Sequence, residues 1–461
     1  MTVEFGLGTA SGVSSRGRPI TTQSVRVIVY LALMALDLAV IICGFCIAGL
    51  IRHGGLGSTV DTAALFILLP TFLVISFYAG AYSFEGATSR LGIRRVLTSL
   101  ALALAFNSLV AFAAKEGENI SRAFLFVGTG FAALLLIGER LATAWLVRDY
   151  LGPRFMRRLL VIDGVHASAP SDFHVIDLAD HGVTPDPHDP HALHEISSLL
   201  FGADRVVVSA TPERRENWSL CLKGMGCNGE LLVPELHAIG QLTPADGSKL
   251  IGIPVSTGPL DIRSRVLKRT FDLSLTVPAI LLLSPLLVLI ALAVKFSSPG
   301  PILFRQRRMG RSNRLFHVYK FRSMRVETSD HSGARSATRD DDRITRVGRV
   351  IRRTSLDELP QLFNVLNGDM SLVGPRPHAL GSLAGDELFY HIDRRYWLRH
   401  AIKPGITGLA QVRGFRGATD HRDDLMHRLQ ADLEYVADWS LLRDLMILLR
   451  TLGVIVHKKA Y

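Results

Sequence analysis

Four long apolar stretches fill the first third of this chain, and each is long enough to cross the hydrocarbon core of a membrane. They are Val25–Ile51, Ala63–Tyr82, Val96–Ala114 and Ala123–Val147. Basic residues gather before the first stretch, between the second and third, and after the fourth. Because basic flanks stay in the cytoplasm, this pattern predicts a four-span transmembrane bundle over residues 25–150 with both ends on the cytoplasmic side.

Residues 1–24, which precede the bundle, are rich in Gly, Ser, Thr and Arg, and we expect a disordered cytoplasmic tail there. Asp37 and Glu139 fall inside apolar stretches. Either carboxylate could be a functional intramembrane charge, or it could have a partner inside the bundle or lie near the end of its span. We favour the structural alternatives for both residues.

The composition agrees with a membrane protein of more than one domain. A chain of 461 residues is too long for a single core, and 48% of its residues are apolar. The formal net charge of +11 raises the question of nucleic acid. However, the sequence has no zinc-finger spacing and no basic stripe interleaved with aromatic residues, so we expect no nucleic-acid partner. Cytoplasmic loops, anionic lipids and phosphorylated substrates account for the charge.

The middle of the chain, residues 154–256, has the pattern of a soluble α/β unit. Leu159–Asp163 and Arg205–Ser209 are typical of buried parallel strands, and Glu230–Pro234 predicts a third. This indicates a degenerate Rossmann-like domain without the glycine-rich phosphate fingerprint, so we favour a structural or regulatory module. Six histidines here lack zinc-type spacing and predict a solvated loop; they lie at positions 166, 174, 181, 188, 191 and 194.

A fifth apolar segment, residues 270–295, contains Ser284 and Pro285 in its middle. Proline removes a backbone hydrogen bond and kinks a helix, and a serine hydroxyl can satisfy the freed carbonyl. Basic residues flank the segment on both sides, and a simple span would carry one of these clusters across the membrane. We therefore favour a re-entrant helix over a spanning one.

The segment from Thr354 to Gln361 holds adjacent carboxylates, Asp357 and Glu358, just after a run of arginines. A carboxylate that attacks phosphorus needs nearby cations, which lower its pKa and screen the incoming phosphate. The structural alternative is a capping box formed by Ser355 and Glu358. Both interpretations start a helix at about Ser355 to Asp357, since Pro360 is tolerated only in a first turn.

Several ordered motifs over residues 263–461 resemble the bacterial sugar transferases, which are polyprenyl-phosphate sugar-1-phosphate transferases with a monotopic membrane domain. The matching strings are Lys268-Arg269-x-Phe271-Asp272, Ser297-x-Pro299-Gly300-Pro301, Tyr319-Lys320-Phe321-Arg322-Ser323-Met324, Arg343-Ile344-Thr345-Arg346-Val347-Gly348, Thr354–Gln361, Gly368–Pro377 and Lys403–Gly408. The four-span bundle followed by a degenerate α/β unit resembles the long members, which initiate exopolysaccharide or capsule synthesis.

The resemblance implies a two-step reaction. Asp357 would attack the β-phosphate of a UDP-sugar, glucose or galactose in the long members, and release UMP. Undecaprenyl phosphate would then take the sugar phosphate from the aspartyl intermediate. Glu358 matches the family's Mg²⁺ ligand, and a hard cation suits carboxylate and phosphate oxygens. The implied location is the cytoplasmic face of the bacterial inner membrane, in contact with its lipid.

The resemblance also assigns further site residues. Substrate and phosphate contacts are expected from Lys320, Arg322, Arg352, Arg376 and Asp444. The prolines on either side of Arg376, Pro375 and Pro377, are expected at the nucleotide ring. Asp444 could instead pair with Arg443 or Arg450 on the last helix.

The sequence thus predicts a membrane α plus α/β protein. Its parts are a four-helix transmembrane bundle, a Rossmann-like unit, and a monotopic catalytic domain over residues 263–461 with a re-entrant membrane helix. A homodimer with the α/β unit as its contact is one candidate assembly. The alternative function is a non-catalytic scaffold that binds lipid-linked sugars in a polysaccharide assembly complex.

Overall fold

The computed structural model describes residues 22–53, 59–83, 86–87, 89–113, 122–151, 157–235, 252–325, 342–415, 417, 419 and 421–456. The chain divides into two compact units between residues 155 and 156. The tail predicted for residues 1–24 lies outside the described residues, apart from its last three residues, which are helical.

Four long helices make up most of the described part of the first unit, one for each predicted apolar span. They are α1 (Thr22–His53), α2 (Thr59–Ala79), α3 (Arg90–Ala113) and α4 (Arg122–Leu146), and a π-helical turn, Val147–Leu151, follows α4. By length and composition α1, α3 and α4 could cross a membrane, whereas the apolar part of α2 is shorter, Leu65–Ala79. Buried residues such as Ile41, Phe45, Phe72 and Leu136 form the core between the helices.

A buried ionic network lies inside this bundle. Asp37 is fully buried and accepts hydrogen bonds from Arg140 Nη2 at 2.7 Å and from the Tyr82 hydroxyl at 2.8 Å. Arg140 also lies 3.5 Å from Glu139 and stacks over the Tyr82 ring. The prediction that Asp37 has a partner inside the bundle is confirmed.

The second unit begins with a five-stranded sheet of order β2-β1-β3-β4-β5. The strands are β1 (Arg158–Asp163), β2 (His174–Asp177), β3 (Arg205–Ala210), β4 (Gly229–Leu231) and β5 (Ile253–Ser256), with helices α5 (Pro190–Leu199) and α6 (Pro212–Met225) between them. β1, β2, β3 and β4 run parallel, and β5 is antiparallel to β4. We call residues 158–256 the α/β module. The predicted strands at 159–163 and 205–209 are present as neighbours, and the third is shorter than expected.

A single helix, α7 (Ile262–Ser297), contains the fifth apolar segment and is longer than predicted at both ends. Pro285 has no N–H for the carbonyl of Leu281, and Ser284 Oγ donates to that carbonyl at 2.8 Å. The expected hydrogen bond of Ser284 is present, and the kink at Ser284 and Pro285 stays a prediction. The re-entrant course of the helix stays a prediction.

The remaining elements follow α7 in short pieces. A hairpin pairs β6 (Leu303–Met309) with β7 (Leu315–Phe321). Then come α8 (Arg346–Arg353), α9 (Gln361–Asn367), β8 (Ser371–Val373), β9 (Leu383–Ala384), β10 (Glu387–Leu388), α10 (Phe389–Ile392), a 3₁₀ helix (Arg394–Ala401), β11 (Gly405–Thr407), α11 (Leu409–Val412), α12 (Arg422–Ala437) and α13 (Leu441–Val456). β8 pairs with β11, and β9 with β10.

One hydrophobic core joins the α/β module to these later elements. Trp218 of α6 and Val206 of β3 belong to the same buried cluster as Met309, Trp397 and Leu425. The Trp397 Nε1–H donates to the carbonyl of Pro187 at 2.5 Å. The sheet and the region after residue 300 are therefore packed as one body.

The ionic network predicts a stability effect that does not depend on function. In Arg140→Met, Asp37 loses its cation in a buried site, so we expect the protein to lose about 3 kcal/mol or more of stability. The triple variant Asp37→Leu/Glu139→Gln/Arg140→Met removes all three charges and should recover much of that loss. Thermal unfolding in detergent measures both variants. Equal destabilisation by the single and triple variants would contradict the pairing.

Candidate active site

The candidate site is organised around the carboxylate of Glu358. Lys320 Nζ donates to Glu358 Oε1 at 2.7 Å, and Arg376 Nη2 donates to the same oxygen at 2.6 Å. The hairpin supplies Lys320, and the segment after β8 supplies Arg376. The fold thus brings Lys320, Glu358 and Arg376, three of the residues expected in the site, into direct contact. Both hydrogen bonds go to Oε1, and neither goes to Oε2 of Glu358.

Asp357 lies in a 3₁₀ turn, Leu356–Glu358, and its side chain is half-buried. A helix does start within the predicted range, at Leu356, but it is a single 3₁₀ turn, and the α-helix α9 begins only at Gln361 after Pro360. The predicted capping box is wrong, because Ser355 has a left-handed backbone (φ 56°) and makes no side-chain cap. The 3₁₀ turn places the two carboxylates ahead of the α-helix.

The two neighbouring carboxyl groups have opposite pKa shifts. Burial raises the pKa of Asp357, Lys320 and Arg352 oppose that rise, and the Glu358 charge adds to it. Burial would also raise the pKa of Glu358, but the cations of Arg376 and Lys320 hold it well below its usual range. Glu358 is therefore the neutralised partner of the pair, whereas Asp357 is partly desolvated and, among the described residues, interacts with cations only at longer range. Arg352, on α8, is one of these longer-range cations and lowers the pKa of Asp357.

The segment that carries Arg376 is held at three successive carbonyls. Gly405 N–H donates to the carbonyl of Pro375 at 3.0 Å, and Arg399 Nη2 donates to that of Arg376 at 2.5 Å. Arg308 donates to the carbonyl of Pro377. Both prolines are buried, and the Arg376 side chain between them is partly exposed. The backbone is thus fixed while the guanidinium reaches Glu358; nucleotide contact by the prolines stays a prediction.

Arg308 is a site residue that the sequence reasoning missed. The pairing of Phe304 with Lys320 and of Arg308 with Phe316 puts Lys320 and Arg308 on one face of the hairpin. Burial and the nearby Arg376 lower the pKa of Arg308 to about 10, so that it is still charged at neutral pH. The sequence could have indicated this residue if β6 had been paired with β7 and the residues on the same face as Lys320 had been identified.

Asn364 of α9 was also missed, and it ties the hairpin to the carboxylate turn. Its Oδ1 accepts from the N–H of Tyr319 at 2.9 Å, and its Nδ2 donates to the carbonyl of His317 at 2.7 Å. Asn364 is fully buried. Because α9 directly follows the turn, this bidentate contact sets the spacing between Lys320 and the two carboxylates.

Arg322 has different neighbours from Lys320. It is buried and donates to the carbonyls of Pro299 at 2.8 Å and Ser298 at 2.6 Å, with a longer bond to Val294. These carbonyls belong to the end of α7 and the turn after it. The contacts give Arg322 a structural role in closing α7, and the phosphate contact that the resemblance implies stays a prediction.

Asp444 is fully buried at the other end of α7. Its Oδ2 accepts from Lys268 Nζ at 2.6 Å and from Trp439 Nε1 at 3.1 Å, and its Oδ1 accepts from the Tyr435 hydroxyl at 2.6 Å. Lys268 also donates to the carbonyl of Val373. Asp444 thus joins α13 to α7 and takes its cation from Lys268, not from Arg443 or Arg450. This network gives Asp444 a structural role, and the substrate contact that the resemblance implies stays a prediction.

The next question is whether the side chains around Glu358 offer the oxygen ligands that magnesium binds. Among the described residues no group of three or more His, Cys, Asp or Glu side chains could hold a metal. Magnesium, however, often uses one or two carboxylates and takes its other ligands from water and substrate phosphates. Glu358 Oε2 and the adjacent Asp357 offer such hard oxygen donors, so the residues present fit a substrate-assisted magnesium site.

An apolar groove of about 830 Å³ lies beside the carboxylate turn. Leu287, Val288 and Ala291 of α7 line one side, and Pro360 and Phe363 line it just after Glu358. Val288 is 59% exposed and Phe363 38% exposed. The groove also includes the exposed basic residues Lys295 and Arg305. It combines an apolar wall with two exposed cations, and one of its lining residues, Pro360, follows Glu358 by two positions.

The chain matches two family models. Residues 263–458 match the bacterial sugar transferase family, and residues 34–143 match a family described only as a protein of unknown function.

Curated relatives match part of the chain. An undecaprenyl-phosphate glucose phosphotransferase of Komagataeibacter xylinus is 52% identical over 194 residues, which cover 42% of this chain and 36% of the relative. The exopolysaccharide production protein PSS of Rhizobium leguminosarum bv. phaseoli is 49% identical over 186 residues, 40% of this chain and 93% of the relative. A UDP-glucose:undecaprenyl-phosphate glucose-1-phosphate transferase of Escherichia coli (strain K12) is 48% identical over 236 residues, which cover half of each chain. The chain therefore spans only a third to a half of the length of the first and third relatives.

The contacts of Arg322 predict a loss of stability when its guanidinium is removed. Arg322→Met leaves the carbonyls of Ser298 and Pro299 without their donor, at a cost of about 2 kcal/mol or more. Arg307→Met is the matched control, because Arg307 is exposed on the same hairpin. Thermal unfolding of the two variants compares them. If Arg322→Met were as stable as the control, the structural role would be refuted.

Proposed function

This chain belongs to the bacterial sugar transferase family, and we propose that it transfers a hexose 1-phosphate from a UDP-sugar to undecaprenyl phosphate. The observation that carries the proposal is the half-buried Asp357 beside Glu358, whose charge is taken up by Lys320 and Arg376. Five relatives that are 45–52% identical are named for glucose, which favours UDP-glucose as the donor. The further candidates are N-acetylgalactosamine, from the name of a relative 44% identical, and galactose, from the name of a relative 36% identical.

In the first proposed step, Asp357 acts as the nucleophile. A carboxylate oxygen of Asp357 bonds to the β-phosphorus of the UDP-sugar, the bond from that phosphorus to the bridging oxygen breaks, and UMP leaves with the electron pair. Partial desolvation of Asp357 favours attack, since less water has to be removed from the carboxylate. Arg352 and Lys320 lie close enough to act on its charge.

In the second proposed step, an oxygen of undecaprenyl phosphate bonds to the same phosphorus and the Asp357 carboxylate leaves. This step gives undecaprenyl-diphospho-sugar and regenerates the Asp357 carboxylate, since UMP has already left in the first step. Arg376 and Lys320 stabilise the phosphate charges in both steps, since their positions are already fixed by Glu358. Magnesium, held by Glu358 Oε2 and substrate phosphates, would supply further neutralisation of charge when bound.

We place the reaction on the cytoplasmic face of the bacterial inner membrane, as the first membrane step of exopolysaccharide synthesis. The candidate membrane helices and the name of the Rhizobium relative support this placement.

The apolar groove is the proposed site for the isoprenoid chain of the acceptor. Its wall of Val288, Ala291 and Phe363 suits a hydrocarbon, and Lys295 and Arg305 suit a lipid phosphate. Pro360 brings the groove to within two residues of Glu358, so a phosphate anchored at one end of the groove is close to the nucleophile.

The nucleophile is tested by substitution. Asp357→Asn keeps the size of the side chain but removes the attacking charge, so UMP release from UDP-glucose should fall at least a thousandfold. Arg353→Gln, an exposed neighbour on α8, is the control and should retain most activity. Undiminished turnover by Asp357→Asn would exclude the covalent mechanism, and a wild-type chain that releases no UMP from a panel of UDP-sugars would support the scaffold alternative.

The groove is tested separately from the first step. Ala291→Trp fills it, and the KM for undecaprenyl phosphate should rise about tenfold, the effect of losing roughly 1.4 kcal/mol of binding. The burst of UMP in the absence of acceptor should stay unchanged. Leu289→Trp, on the same helix but not lining the groove, is the control. Identical KM values for the two variants would place the acceptor elsewhere.

A further inference from the structure

The tip of the β6–β7 hairpin has a backbone that its surroundings must hold in place. Ser312 and Asn313 both have left-handed conformations, with φ of 59° and 55°. Non-glycine residues adopt this region only occasionally, and two in succession are costly. Asn313 is fully buried, although it lies at the tip of a hairpin, a position that is normally exposed.

Several hydrogen bonds connect this tip to the α/β module. Ser312 Oγ donates to the carbonyl of Met225, at the end of α6, at 2.8 Å. Ser197 of α5 donates to the carbonyl of Ser312, and His194 Nδ1 accepts from the N–H of Leu315 at 3.2 Å. His194, predicted to lie in a solvated loop, is instead on α5 and bonds to the hairpin.

Asn313 itself is enclosed between the module and the 3₁₀ helix Arg394–Ala401. Its Oδ1 lies 2.9 Å from His400 Nδ1. A Cβ placed on Gly224 would lie 2.6 Å from Asn313 Nδ2 and 2.9 Å from the carbonyl oxygen of Trp397. Only a glycine at position 224 lets α6 approach this closely, so the contact is both tight and specific.

A short chain of contacts leads from the tip to the candidate active site. Met309, next to the tip, is buried in the core of the α/β module. The adjacent Arg308 donates to the carbonyl of Pro377 and forms a β-bridge with Ala379. Those contacts help to fix the segment that directs Arg376 at Glu358.

We propose that Asn313 is a positioning residue for the reaction: its hydrogen bond to His400 and its close packing against Gly224 of α6 fix the hairpin tip, which places Arg308, and through Arg308 it aims Arg376. This inference rests on the proposed function for its kinetic consequences. It gives the α/β module a role in catalysis without a ligand of its own.

Two substitutions loosen the contact in different ways. Asn313→Gly keeps the left-handed backbone and removes the amide, and Gly224→Leu forces α6 away from the tip. For each, the KM for UDP-glucose should rise about fivefold, the effect of one lost hydrogen bond. Lys223→Leu is the control, because Lys223 is exposed beside Gly224 on the same helix, and it should leave KM unchanged. Thermal unfolding of each variant shows that it is folded.

Two further measurements separate positioning from general loosening of the fold. In an Arg376→Lys background, Asn313→Gly should change KM less than twofold, because the residue it acts through is already altered. Hydrogen–deuterium exchange of residues 374–380 should rise in Asn313→Gly and not in Lys223→Leu. The exchange readout does not depend on turnover, so it still tests the contact chain if the proposed function fails. Wild-type KM and exchange in folded Asn313→Gly, or a full effect in the Arg376→Lys background, would overturn the proposal.

Discussion

One oxygen of Glu358 accepts hydrogen bonds from two cations, and the geometry of the candidate site depends on this contact. Lys320 comes from a hairpin and Arg376 from a loop between short strands, so the carboxylate joins segments that are distant in sequence. The pair of cations neutralises Glu358 and leaves Asp357 as the less stabilised carboxylate next to it. An adjacent acidic pair thereby becomes two groups with different roles.

Other contacts in the second unit fix the relative positions of the carboxylate turn, the hairpin and the Arg376 segment. Asn364 links the carboxylate turn to the hairpin, and Arg308 links the hairpin to the Arg376 segment. The long helix α7 is secured at both ends by buried charge, at its start by Lys268 with Asp444 and at its end by Arg322. Buried charges cost free energy unless they are fully paired, so each of these residues favours one arrangement over alternatives.

Much of the architecture could be predicted from local patterns. Apolar length indicated the four helices of the first unit, apolar runs bounded by turn residues indicated β1 and β3, and the missing N–H of Pro285 indicated the bond made by Ser284. The arginines and the acidic pair indicated a charged site. Each of these features depends on residues that are close to one another in the sequence.

The errors concern contacts that local patterns do not specify. Alternation along β7 places Lys320 and Arg322 on one face, but the burial of Arg322 against the end of α7 depends on the tertiary fold. Asp444 pairs with Lys268, a residue 176 positions away, rather than with an arginine on its own helix. Pro360 was recognised as incompatible with a helix interior, yet the left-handed Ser355 that delays α9 was not foreseen.

The central claim is that a sugar phosphate is carried covalently by Asp357. Mass spectrometry of the full chain, quenched after mixing with UDP-glucose and without acceptor lipid, tests it directly. The account predicts a hexose phosphate adduct on the peptide containing Asp357 that disappears when undecaprenyl phosphate is added. An adduct on another residue, or no adduct while UMP is being released, would contradict it.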